Sequence, residues 1–194
     1  MYILHKERLI FIHVPKAGGT SIAAALGFRQ DNEFILTHAT PSQVVKTIFQ
    51  DDWNQFYSFA VTRSPWERYG SLYRYHKSPE YAALLGRNYS HQLASSFSFN
   101  EWMRFNIRSK MKANWFGVPQ TYWTKGASEV FQLENLSPIR DILQHKLSRE
   151  ITIPKLNQTH TECMESMEDE AINYIADIDH EIIARFGYAV SAAR

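Results

Sequence analysis

The chain of 194 residues has one cysteine, Cys163, so no disulfide can close within it and a reducing compartment is permitted. It also lacks any apolar run long enough to span a bilayer and any secretory-type apolar leader, and a cytoplasmic protein is the resulting expectation. Low-complexity linkers and internal repeats are absent too. With 44% hydrophobic and 14% aromatic residues the chain is not of disordered composition, and its length suits one compact domain over residues 1–194. The net charge is only +1, which offers no broad basic surface for nucleic acid. That small value hides an asymmetry, because residues 1–161 hold 19 basic and 12 acidic side chains whereas residues 162–194 hold 2 and 8. The basic part suits an anionic small molecule, and the acidic end reads equally well as a solvated helix face.

What is present begins with the run Leu9 to Val14, a buried strand by its apolar continuity, emptying into Pro15-Lys16-Ala17-Gly18-Gly19-Thr20-Ser21. Ser21 to Leu26 then reads as a short helix with Gly27 at its C-terminal end. Glycines at 18 and 19 let consecutive backbone N–H groups converge on an anion, and the helix start adds partial positive charge. Lys16 supplies a full charge, and Thr20 and Ser21 supply hydroxyl donors. The nucleotide triphosphatase loop places its lysine after the glycines; here the lysine comes first. An ordinary strand-to-helix turn would explain this segment if it stood alone.

A second segment, Phe59 to Lys77, has the same grammar. Phe56 to Thr62 is a strand candidate, and Ser64-Pro65-Trp66-Glu67 is a helix start with a predicted capping box. Arg63 then sits at a strand tip, and Ser71 lies about two turns into the helix on the face of Ser64, Glu67 and Arg68. An arginine and a hydroxyl so placed can hold a phosphate by charge-assisted bonds. Taken singly, Arg63 and Arg68 read as surface partners of Glu67.

Together the two segments resemble the paired donor-binding motifs of sulfotransferases that use 3′-phosphoadenosine 5′-phosphosulfate (PAPS). The likeness is to the carbohydrate sulfotransferase family that includes heparan 2-O-sulfotransferases and many small bacterial members. It continues through THATPSQV around His38, VFQLENL from Val130 to Leu136, IPKLNQT around Asn157 and FGY at Phe186 to Tyr188. Ala17 is a departure, since threonine is commoner there in the family. The resemblance implies a three-layer α/β/α fold of the P-loop nucleoside-triphosphatase type with a largely parallel sheet. It further implies that Pro15, Lys16, Ala17, Gly18, Gly19, Thr20 and Ser21 hold the 5′ end of PAPS, that Arg63 and Ser71 hold the 3′-phosphate, and that no metal is used.

Sulfuryl transfer to a hydroxyl needs a base and charge stabilisation on the leaving phosphate. Lys16 is the candidate for the second task. For the base, family members carry a histidine in the acceptor site at the position of His38, which here precedes a predicted helix at Thr40-Pro41. His13, flanked by apolar residues in its strand, reads first as structural and second as a base. A nucleotide-dependent phosphotransferase and a PAP-binding module without transfer activity stay open as alternatives; the product PAP is 3′-phosphoadenosine 5′-phosphate. Among the aromatic residues of 97–123, Trp115, Tyr122 and Trp123, with Gln120, are candidates for an acceptor-binding lid. Further helices are expected from Thr40, with Val44, Val45, Ile48 and Phe49 on one side, from Ser98 with a capping box to Glu101, from Ser137, and from Ser166 through Phe186.

Overall fold

The computed structural model describes residues 1–28, 38–44, 52–154 and 166–190. The predicted positions Val45, Ile48, Phe49, Asn157 and Cys163 lie outside them. The chain forms two compact units, one from Met1–Arg63 with Gln120–Gln158 and the other from Ser64–Pro119 with Thr159–Arg194.

The first unit is an α/β layer. Its sheet runs β1 (Tyr2–Leu4), β2 (Leu9–Ile12), β3 (Tyr57–Thr62) and β4 (Glu129–Gln132) in that spatial order. β1 is antiparallel to β2, whereas β2, β3 and β4 are mutually parallel, with Ile12 opposite Ala60 and Thr62 opposite Gln132. All four residues of β2 are buried, as expected of a continuous apolar strand inside a parallel sheet. Helix α1 (Gly19–Leu26) follows β2 and starts two residues earlier than the sequence predicts, because the second glycine already belongs to its first turn. Gly27 ends it at φ 90°, its N–H donating to Ala24 O at 3.0 Å. α2 (Pro41–Val44), α7 (Thr121–Thr124) and α8 (Ser137–Leu147) complete the described α-helices of this unit, beside a short 3-10 turn at Trp53–Gln55. Leu9, Phe11, Ile22, Phe59, Ile139 and Leu143 form its core. Each such side chain contributes roughly 1.5–3 kcal/mol by leaving water. The parallel strands all run out at one edge, where ligands of α/β sheets bind.

The second unit is helical: α3 (Pro65–Lys77), α4 (Pro79–Leu85), α5 (Tyr89–Ser96), α6 (Phe99–Arg108), α9 (Asp169–Ile178) and α10 (His180–Phe186) surround Trp66, Tyr69, Trp102, Met103 and Ile175. The capping box at Ser98 forms as predicted, the Glu101 carboxylate accepting from Ser98 N at 2.8 Å. The one predicted at Ser64 does not. Pro65 opens the helix there, yet the Ser64 side chain makes no cap bond. The helix expected from Ser166 through Phe186 starts later and breaks in two at Asp179. That carboxylate is fully buried and faces Arg68 Nη1 at 3.7 Å, so the backbone yields to an internal ion pair. Arg68 is therefore a core residue of this unit rather than a surface one, 1% exposed and also donating to Val118 O.

Candidate active site

The loop between β2 and α1 is shaped by two left-handed residues. Lys16 has φ 66° and Gly18 φ 76°, with Ala17 between them, an alternation that turns successive N–H groups toward one side. Gly18 is the N-cap of α1 and offers no side-chain cap. The N–H groups of Gly19 and Thr20 lie in the first turn, where helix geometry supplies no acceptor, while Ser21 N bonds back to Gly18 O at 3.1 Å. Both glycines are crowded: a Cβ on Gly18, itself left-handed, would meet the end of the Leu133 side chain, and one on Gly19 would overlap the His13 imidazole. Pro15 and Ala17 are buried beneath the loop, Thr20 is exposed, and Lys16 is half-buried. A non-glycine residue in left-handed backbone costs energy, on the order of 1–2 kcal/mol. Such strain gathers at functional sites.

His13 and His38 meet beside this loop. Their ring centroids are 4.5 Å apart, and His38 Nδ1 lies 3.3 Å from the backbone O of His13. A carbonyl only accepts, so Nδ1 of His38 carries the proton and Nε2 of the neutral ring keeps a lone pair. His38 itself sits at φ 68°, and its own carbonyl accepts from Trp123 Nε1 at 3.1 Å. For His13, burial first, then the charges of His38 and Lys16, hold the imidazole well below its usual 6.5. Its Nδ1 is buried and has no hydrogen-bond partner among the described residues. A neutral His13 is thus the neighbour of His38 at physiological pH.

Arg63 follows directly on β3, at the sheet edge that also delivers the β2 loop. The fully buried Gln120 side chain holds its backbone from both sides, accepting from Arg63 N at 3.0 Å and donating to Arg63 O at 2.9 Å. Gln120 and Trp123 are 0% and 2% exposed, so neither is a lid residue, whereas the Tyr122 ring between them in sequence is 52% exposed. The first unit thereby assembles Lys16, Gly18, Gly19, Thr20, Ser21, His38 and Arg63, to which the structure adds His13, Gln120 and Trp123. Ser71, 7% exposed, lies on α3 of the second unit. The roles of Gln120 and Trp123 leave no mark in the sequence, because their partners lie 57 and 85 positions away. Among the described residues no group of histidine, cysteine and acidic side chains has the makings of a metal site, and no helix is long and apolar enough to cross a membrane.

A strand, a loop with a lysine ahead of two glycines, and a helix meet at the carboxyl edge of a largely parallel sheet. Residues 1–180 match the sulfotransferase family model, and the chain belongs to that family, whose fold is P-loop-like. It is a transferase of the sulfuryl-transferring type. No curated protein and no solved structure matches it.

Proposed function

We propose that this protein moves the sulfuryl group of PAPS to an acceptor hydroxyl, most naturally that of a carbohydrate, with residues 1–194 working as one sulfotransferase domain. The observation that carries the reading is the loop: a left-handed Lys16 at its mouth, two glycines crowded by neighbouring side chains, and first-turn N–H groups of Gly19 and Thr20 for which helix geometry supplies no acceptor. These features fit a 5′-phosphosulfate group, and no metal is called for. When bound, PAPS would supply the activated sulfuryl group.

In this reading Lys16 stabilises charge developing on the leaving phosphate, while the N–H groups of Gly19 and Thr20 and the Thr20 and Ser21 hydroxyls hold the 5′ end with Pro15 and Ala17 as its floor. Arg63 holds the 3′-phosphate, its backbone already fixed by Gln120. Ser71 joins it on the strength of the eight-residue motif spacing alone. His38 takes the proton of the acceptor hydroxyl at Nε2, since its Nδ1 donates to His13 O. The carbohydrate acceptor and the cytoplasmic setting rest on the sequence and its resemblance.

Calorimetric titration with PAP, AMP and ATP tests the donor directly. Only PAP carries a 3′-phosphate, so the wild type should prefer it to AMP. Arg63→Ala should weaken PAP binding about ten- to a hundredfold, the worth of one hydrogen bond to a charged group, and scarcely alter AMP. Ser71→Ala should show the same pattern more weakly. Tighter binding of ATP than of PAP would overturn the reading in favour of a phosphotransferase. A screen of hydroxyl acceptors with labelled PAPS then separates an enzyme from a binding module.

A further inference from the structure

Both ends of the proposed site are held by one short element. Gln120 caps the four-residue helix α7, and Trp123 lies one turn-length further on it. The two side chains project to different targets: Gln120 makes paired bonds to the backbone N–H and C=O of Arg63, and the indole N–H of Trp123 donates to the carbonyl of His38. Neither bond touches a functional group; each fixes the peptide from which a functional side chain departs. The helix is itself anchored, since Trp123 N and Thr124 N bond back to Gln120 O, and the chain leaving it is pinned to β3 by the bond from Ser128 N to Ser58 O at 2.9 Å.

The need for such anchorage differs at the two ends. His38 holds a left-handed conformation at φ 68°, uncommon for any residue with a side chain, so a bond to its carbonyl helps to keep it there. Arg63 occupies the step where β3 has ended and α3 has not yet begun, so strand pairing no longer holds it. A buried glutamine using its acceptor and a donor on one residue replaces the missing ladder.

We propose that Gln120 and Trp123 are positioning residues, and that α7 is a strut setting the placement of the donor-binding arginine against that of the acceptor-side histidine. This deepens the sulfotransferase reading and rests on the roles given there to Arg63 and His38. A strut of this kind separates binding from turnover. Gln120 acts on the donor phosphate through Arg63, and Trp123 acts on proton removal through His38.

The test uses the full chain with Gln120→Leu, Gln120→Met and Trp123→Phe, the last of which keeps an aromatic ring and deletes the N–H. Gln120→Leu and Gln120→Met should lower the affinity for PAP on the order of tenfold and that for AMP hardly at all, the loss of one or two buried hydrogen bonds. Trp123→Phe should bind PAP as the wild type does and lose on the order of tenfold in kcat. A packing role alone would move both quantities together in every variant, in step with the melting temperature, and that result would overturn the proposal. Should Gln120→Leu fail to fold, Gln120→Met and Trp123→Phe still decide it. Arg63→Ala and His38→Asn are measured alongside: if they show the PAP-selective and kcat losses while the α7 variants behave as wild type, the strut is wrong and the site stands. If they show neither, the reading of the site falls and takes the strut with it.

Discussion

The imidazole of His13 fills the space that a side chain at position 19 would need, its Cδ2 and Nε2 overlapping any Cβ placed on Gly19. The backbone at Gly19 is not left-handed, so the glycine is there for room and not for conformation. This makes the loop and the histidine pair one packed object. His13 rests on the loop on one side and against His38 on the other.

Gly19→Ala should therefore displace His13 and cost roughly 1–3 kcal/mol, the usual penalty of overpacking. In a His13→Ala background the obstacle is gone, and alanine in the first turn of α1 regains helix propensity of up to about 1 kcal/mol. Urea unfolding of the four members of this cycle should show strong coupling between the two positions. Simple additivity would mean that His13 does not sit over the loop.

The depressed pKa of His13 sets a pH dependence of stability. As pH falls through 6.5 the unfolded chain takes up a proton at this residue and the native protein does not. More protons on the unfolded state means that stability declines as pH drops below that value, down to the lower native pKa. His13→Asn should flatten this decline, read as urea midpoints between about pH 7.5 and 5.5. An unchanged slope would assign the acid sensitivity to other groups.

Lys16 joins strain to function. Lys16→Ala should reduce kcat on the order of a hundredfold or more while PAP affinity changes much less, the pattern of a charge stabiliser acting in the transition state. Lys16→Gly should be as inactive, yet more stable by about 1 kcal/mol, because glycine accepts φ 66° without penalty. Near-normal turnover in either variant would remove Lys16 from the leaving-group side.

His38→Ala should lose about 10² to 10⁴ in rate, retain PAP binding, and lose the acidic limb of the pH–rate profile. His38→Asn gives a second variant better suited to the left-handed backbone. An active enzyme with its acidic limb intact would shift the base to His13.

Much of the local architecture is legible in the order of residues. The apolar run from Leu9 to Val14, the glycine pair and Gly27 announce strand, loop and helix end, and Pro65 and the Ser98–Glu101 pair announce helix starts. These signals work because they act within a few residues: periodicity, proline at a first helical turn, glycine past the last one. Where the same local logic fails, a distant partner has intervened. The helix from Ser166 was expected to run unbroken, and it turns at Asp179 because that carboxylate meets Arg68 inside the second unit. Aromatic Trp123 looked available for an acceptor, and its indole is instead committed to a backbone carbonyl.

The sequence by itself determined a strand-loop-helix with its lysine ahead of its glycines, a second strand-helix junction bearing Arg63 and Ser71, and thereby the sulfotransferase resemblance. Only the tertiary structure decided that His38 Nδ1 faces the carbonyl of His13, that the His13 ring fills the space beside residue 19, and what holds Arg63 and His38 in place. The anchoring of Arg63 and His38 depends on contacts across 57 and 85 positions, and left-handed backbone at Lys16 and His38 is uncommon for residues with side chains. Local preferences are read from neighbours in the chain; strain is sustained by neighbours in space.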